Sequence, residues 1–427
     1  MAFVNFLVLL ALGLPIAFVI GLSSLVQMQL MGEPTVYKIL AQMVIGGMDN
    51  FPLLAIPFFV LAGNLMNSAG ITRELVRVAD AIVGRFRAGL AHVSVVSSIF
   101  FAGITGSAVA EASALGSILI PAMEEDGYPR PMSAGLIAAA AVIGPIIPPS
   151  IVAIIYSYVT GVSVAGLFLA GVIPGVLMGL TLMGLVYWQV RYGSVNWGKR
   201  SGAHETGETS RYTWLKAAAV LLMPVIILGG ILGGVFTATE ASAVTVAYAM
   251  LIGFIFRTLR FKDVLRAFEN AAIASAVVFL IIGVSASFQW VIARERLVEP
   301  LTRFVAHYAS GPVTLLALAN IILLIAGMFL DTTPAILILV PVLAPIAISM
   351  GVNPLHFGAI VVINLSIGLV TPPLGLTLFA ASSISGEPLQ RIIRAAIPYI
   401  LAEIAVLILV TYFPPFTLGI PHIFGFM

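Results

Sequence analysis

The chain is 427 residues long, 60% hydrophobic and 9% charged, with a formal net charge of +2. A soluble domain carries about a quarter charged residues, so this composition excludes a soluble fold, places the chain in a membrane as a polytopic protein, and is too weakly basic to argue for nucleic acid. Zero cysteines exclude disulfides, thiolate metal centres and cysteine nucleophiles.

An apolar stretch near 20 residues crosses a hydrocarbon core of about 30 Å. Spans are therefore expected at 3–26, 51–69, 165–190, 217–235, 238–256, 267–292 and 391–413. The first is read as a retained helix, because residues 1–32 lack the basic start of a signal peptide. Segments 73–88, with Arg73, Arg77, Arg85 and Arg87, and 293–308, with Arg294, Arg296 and Arg303, are too charged to cross. They are expected as amphipathic helices at the interface, either braces for a moving unit or simple anchors.

Stretches 90–121 and 313–345 are apolar but centred on small or polar residues, and each arm is short for a span. Both are read as re-entrant hairpins with tips at Gly103–Ser107 and Gly327–Pro334, the rival reading being one straight helix per stretch. A turn at that depth needs protein or a water-filled cavity to satisfy its backbone. Stretches 132–160 and 355–385 are long enough to cross, but Pro148-Pro149 and Pro372-Pro373 interrupt them. Since Pro fits only the first turn of a helix, Pro148 and Pro372 are each expected to begin a second half-helix. Gly144–Ile147 and Gly368–Thr371 are the expected unwound breaks.

These stretches are related by sequence. Residues 102–174 return at a constant offset of 224 as 326–398: Gly103 answers Gly327, Pro121 Pro345, Gly127 Gly351, Gly144 Gly368, and Ile173-Pro174 Ile397-Pro398. Duplicated apolar segments broken by Gly and Pro at corresponding places point to a transporter's binding site. Arg191, Lys199, Arg200, Arg211 and Lys216 fill one loop and Arg257, Arg260, Lys262 and Arg266 another, so that face is cytoplasmic by the positive-inside rule. Five expected crossings separate the hairpins, an odd number, and the repeats are therefore expected to be inverted. The organisation expected is a scaffold with an interfacial arm (1–89), transport repeat 1 (90–160), scaffold helices, loops and a second arm (161–312), transport repeat 2 (313–385), and a C-terminal scaffold helix (386–427).

Polar groups inside a membrane are functional candidates by default. Asp331, Thr332 and Thr333 before Pro334 form a strong helix start, and Thr105 and Ser107 hold the equivalent place in the first repeat. A half-helix N-terminus offers free N–H groups and partial positive charge to a carboxylate. Substrate is accordingly expected between Thr105 or Ser107 and Thr332 or Thr333, with Asp331 capping its own helix or facing a cation. The carbonyls of the two breaks are hard oxygen ligands for a small cation. Gly103 and Gly327 would let further carbonyls approach, and Thr371 and Thr377 could add hydroxyls. Glu111 and Glu240 are read either as proton or cation groups or as helix-N-terminal carboxylates. Glu403 is expected to pair with another buried polar group. The sequence has no phosphate-binding Gly-rich loop ending in Lys-Ser/Thr, and its five histidines never stand at i,i+4 spacing.

At these motifs the sequence resembles the large membrane subunit of TRAP transporters, the tripartite ATP-independent periplasmic carriers. The passages are FPLLAIPFF from Phe51, GSAVAEA from Gly106, GPIIPPS from Gly144, TATEA from Thr237, FLDTTP from Phe329 and GLVTPPLG from Gly368. Glu111 stands where the family usually has Asp. The resemblance implies a multi-pass protein of the bacterial inner membrane that imports an organic acid, such as a dicarboxylate or sialic acid, with sodium. It further implies a soluble periplasmic binding protein, a small four-helix membrane subunit, and elevator-like movement of the hairpins and broken helices. Family sodium sites, carried onto this chain, fall on Gly103, Ser107 and Gly144, and on Gly327, Gly368 and Thr371. The expectation is an all-α, inverted-repeat secondary transporter. The alternatives are a single-component sodium–anion symporter and, more distantly, a membrane-embedded enzyme.

Overall fold

A computed structural model describes residues 2–32, 35–192, 211–295 and 311–426, and among them every regular element is helical. Helices α1 (Ala2–Ala11), α2 (Ile16–Leu30) and α3 (Val36–Met48) precede α4 (Ala55–Ser68) and α5 (Ile71–Val83). The first hairpin is α6 (Gly89–Thr105) with α7 (Ala108–Glu125), and the first broken helix is α8 (Arg130–Ala140) with α9 (Ile151–Thr160). Next come α10 (Val164–Tyr192), α11 (Arg211–Leu232), α12 (Ala238–Ile255) and α13 (Phe261–Arg294). The second hairpin, α14 (Pro312–Phe329) and α15 (Thr332–Ser349), leads to the second broken helix, α16 (Pro354–Gly368) and α17 (Leu376–Ser385), followed by α18 (Leu389–Tyr412) and α19 (Pro415–Ile423).

Boundaries recur at the offset read in the sequence. Adding 224 to the start and end of α7, 108 and 125, gives 332 and 349, the bounds of α15. Both Pro-Pro bonds, Pro148-Pro149 and Pro372-Pro373, are cis. Seven helices among the described residues are long and apolar enough to cross a membrane: Phe51–Ser68, α10, α12, α13, α14, α15 and α18.

Several expectations need correction. The stretch 3–26 is two helices, because Gly13 turns left-handed (φ 77°) and Pro15 lacks the N–H that would continue the ladder. The sequence reading passed over α3, which seats on α13 through small residues: a Cβ on Gly47 would meet Ala286 Cβ at 2.6 Å. The interfacial helix in 73–88 ends at Val83, leaving Arg85 and Arg87 in the following turn. Both arms of the second hairpin, 18 residues each, reach a crossing length the sequence reading denied them. They nevertheless part at Leu330–Asp331 and pack on each other. The second half-helices begin at Ile151 and Leu376 rather than at the prolines. Two consecutive prolines remove two donors, so the chain stays open until a cap is available. Ser150 supplies one by accepting from Ala153 N at 3.1 Å. Lys199, Arg200, Arg296 and Arg303 lie outside the described residues.

Packing divides the helices into two sets. One is built on α13, which lies against α2, α3 and α4, with α12 on α4. The other joins hairpins to broken helices within each repeat, α7 on α8 and α14 on α16, and also crosswise, α7 on α17 and α15 on α9. Gln289 of α13 links the sets. Pro341 lacks the N–H that would bond the Leu337 carbonyl one turn earlier, and Gln289 Nε2 donates to that carbonyl at 3.1 Å.

Candidate functional site

The first hairpin tip lies against the first break. Gly106 has φ 58°, and a Cβ there would stand 2.6 Å from the Pro149 carbonyl oxygen. Only a residue without Cβ both turns the chain here and admits that carbonyl. A Cβ on Gly103 would lie 2.6 Å from Pro224 Cγ on α11 and 3.8 Å from the Pro148 carbonyl oxygen. Ser107 opens α7 in extended backbone (φ −131°), with no hydrogen bond from its side chain to the helix. The Thr105 hydroxyl is buried without a hydrogen-bond partner among the described residues. Both tip hydroxyls therefore keep hydrogen-bonding capacity.

One turn into α7, Glu111 is fully buried. Neither oxygen has a charged partner among the described residues, and the Ser98 hydroxyl lies alongside. A Cβ on Gly144 would lie 2.5 Å from Glu111 Oε2, so this carboxylate faces the start of the first break. The sequence reading named both residues but not their meeting. Its one signal was the helical reach of Glu111 from the tip, and the depth of Gly144 is a tertiary fact. A buried carboxyl without a charged partner is costly as an anion, so such a group either holds a proton or draws a cation to itself.

At the second junction the contact is between backbones. A Cβ on Gly368 would stand 2.6 Å from both the Cα and the carbonyl carbon of Gly327. Thr371 Oγ1 donates to the Ile367 carbonyl at 2.7 Å, and Thr377 Oγ1 to the Leu369 carbonyl at 3.1 Å. Each hydroxyl thus spends its proton on the break and keeps lone pairs. Asp331 does cap its own helix, Oδ1 accepting from Thr332 N at 2.7 Å. Thr332 and Thr333 are buried behind it.

Two carboxylates fall outside these junctions. Glu240 forms a reciprocal capping box with Thr237 at the start of α12, Oε2 accepting from Thr237 N at 2.8 Å. Glu403 is fully buried, and contrary to expectation neither oxygen has a hydrogen-bond partner among the described residues. The sequence also gave no warning of a polar seam in which Asn364 Nδ2 donates to Asn320 Oδ1 at 2.8 Å and Asn320 Nδ2 to Thr411 Oγ1 at 3.0 Å.

Residues 3–416 match the family described as tripartite ATP-independent periplasmic transporter, DctM component. The chain belongs to this family. It is a TRAP large permease, a multi-pass membrane transport protein and not an enzyme. It is 37% identical to the sialic acid TRAP transporter large permease protein SiaM of Vibrio cholerae, over 97% of this chain and 96% of that one. With the C4-dicarboxylate large permease DctM of Pseudomonas aeruginosa it shares 38%, over 95% and 94%. The isethionate permease DctMQ of Oleidesulfovibrio alaskensis is 37% identical over 96% of this chain and 64% of its own length. Among solved structures, the Alcanivorax borkumensis YdaH transporter superposes with a TM-score of 0.64 at 16% identity, covering 90% of each chain. That likeness speaks for the fold alone.

Proposed function

We propose that this TRAP large permease imports an organic anion coupled to sodium across the bacterial inner membrane. A periplasmic binding protein delivers the substrate, and a small membrane subunit sits beside the large one. The observation that carries the coupling is Glu111: a buried carboxyl with no charged partner among the described residues, facing Gly144 at the first break. Sodium there pairs with Glu111 and with break carbonyls, drawing on Gly103 and Ser107 nearby. A second sodium takes carbonyls and lone pairs around Gly327, Gly368, Thr371 and Thr377. Bound cations offset the charge of a substrate carboxylate held between the tips by Thr105, Ser107, Thr332 and Thr333. Supporting the substrate class are relatives named for sialic acid, C4-dicarboxylates and isethionate, all small organic anions. The relative named DctMQ, of whose length the match covers 64%, supports the small membrane subunit as a partner.

Transport follows from moving the crosswise-packed hairpins and broken helices as one inverted-repeat body, elevator-like, against the helices around α13. The hairpins re-enter the membrane rather than span it. The test is uptake of labelled sialic acid, a C4-dicarboxylate and isethionate into vesicles holding the chain with its small subunit. Uptake of one of them should require an inward sodium gradient and the cognate binding protein, without ATP. Equal uptake in potassium would remove sodium coupling, and uptake without a binding protein would favour the single-component symporter.

A further inference from the structure

At the end of α10 and the turn after α5, Arg85, Phe86, Arg87, Tyr187, Val190 and Arg191 line a cavity of about 310 Å³. Three arginines from positions about a hundred residues apart thus line one small open hollow. None is paired with a carboxylate among the described residues, although arginines elsewhere are, such as Arg77 with Glu74 at 3.3 Å and Arg130 with Glu124 at 3.4 Å. Like charges around one cavity repel unless an anion lies among them. Arg191 is held in place, donating through Nε to Tyr192 Oη at 3.1 Å and through a terminal nitrogen to Tyr187 Oη at 3.2 Å. Both phenols leave other guanidinium N–H groups unspent. On the opposite wall Phe86 is steadied edge-on against His92, with ring centroids 6.0 Å apart.

We propose that this cavity binds the phosphate of an anionic phospholipid from the cytoplasmic leaflet. The ligand chemistry is a phosphodiester or phosphate anion, which Arg receives in a forked pair of hydrogen bonds. The aromatic side chains beside it favour a lipid over the free ion. Tyr187, Trp188 and Tyr192 are all exposed on the same helix end, the pattern of an aromatic belt at headgroup level. Basic pockets between helices on the cytoplasmic side hold anionic headgroups in this way. The volume suits one headgroup, with Phe86 and Tyr187 beside its glycerol. The turn that carries Arg85 and Arg87 joins α5 to the first arm of the first hairpin, and α10 packs on that arm. A bound lipid therefore fixes the junction between the interfacial helix and the hairpin, and transport rate should follow anionic lipid content.

The test is native mass spectrometry of the full-length chain in a neutral detergent, titrated with phosphatidylglycerol or phosphatidylcholine. The parent should retain one phosphatidylglycerol that the triple variant Arg85→Gln/Arg87→Gln/Arg191→Gln binds about tenfold more weakly or worse. Arg266→Gln, an exposed cytoplasmic-side control, should bind like the parent. The triple Lys variant, which keeps the charge should the Gln variant not fold, should bind with intermediate strength. Millimolar inorganic phosphate should fail to displace the lipid. Equal retention by parent and Gln variant, or Lys and parent alike indifferent to headgroup charge, overturns the proposal. Displacement of phosphatidylglycerol by inorganic phosphate makes the cavity a free-phosphate site and overturns the lipid assignment.

Discussion

At the first junction a fully buried carboxylate, Glu111, faces Gly144. At the second, 224 residues on, the counterpart of Glu111 is Ala335, and Gly327 meets Gly368 backbone to backbone. The tips differ in the same spirit. Ser107 leaves its hydroxyl free of the helix, while its counterpart Asp331 is committed to Thr332 N. A duplicated frame has thus kept its breaks and exchanged its side chains. A buried carboxyl marks the first junction, and tight backbone fit the second. The two halves should therefore fail in different ways.

The largest effect is expected from Gly368→Ala. Its new Cβ meets Gly327 backbone at 2.6 Å, which cannot swing aside, whereas a Cβ at Gly144 meets first the end of the flexible Glu111 side chain, with the Ala141 carbonyl oxygen farther off at 3.2 Å. Overpacking of this kind costs about 1–3 kcal/mol. Uptake by Gly368→Ala should be lost with a lower melting temperature, while Gly144→Ala should fold normally; equal behaviour of the pair would erase the contrast. Next, on the proposed substrate site, Ser107→Ala and Thr332→Ala each remove one donor to the substrate carboxylate, a hydrogen bond to a charged group being worth roughly 1.5–3 kcal/mol. Apparent substrate affinity should weaken by about tenfold in each, measured in vesicles with saturating binding protein. Thr371→Val should raise the sodium requirement only about threefold, because its hydroxyl is already donating to Ile367 and offers a lone pair. Glu240→Gln should leave uptake unchanged and cost at most about 1 kcal/mol in a thermal melt, the worth of half a capping box.

The sequence carried what the backbone-breaking residues dictate. Both hairpin turns, both breaks and their common offset were legible because Gly and Pro constrain the chain locally, whatever packs around them. Asp331 as a cap was legible for the same reason. Local chemistry could not reveal α3, only 13 residues long and held by Gly47 and Gly283 against a helix far along the chain. Nor could it show that Glu111 lies over Gly144, or that Gln289 serves the carbonyl Pro341 leaves free. Pro341 announced an orphan acceptor, but which donor reached it depended on the packing of α13 against α15. The half-helix starts were misjudged by three to four residues, because Pro tolerates a first turn without requiring one there.

The account turns on Glu111 as the charged cation ligand, and the most direct measurement is the sodium concentration for half-maximal uptake in Glu111→Gln. Gln keeps the shape and removes the charge, so the fold should survive. A charged partner lost from a buried site is worth roughly 1.5–3 kcal/mol, and the sodium requirement should rise by about tenfold or more, well beyond that of Thr371→Val. A variant of normal expression whose sodium curve overlays the parent's would contradict the assignment and return Glu111 to a packing role.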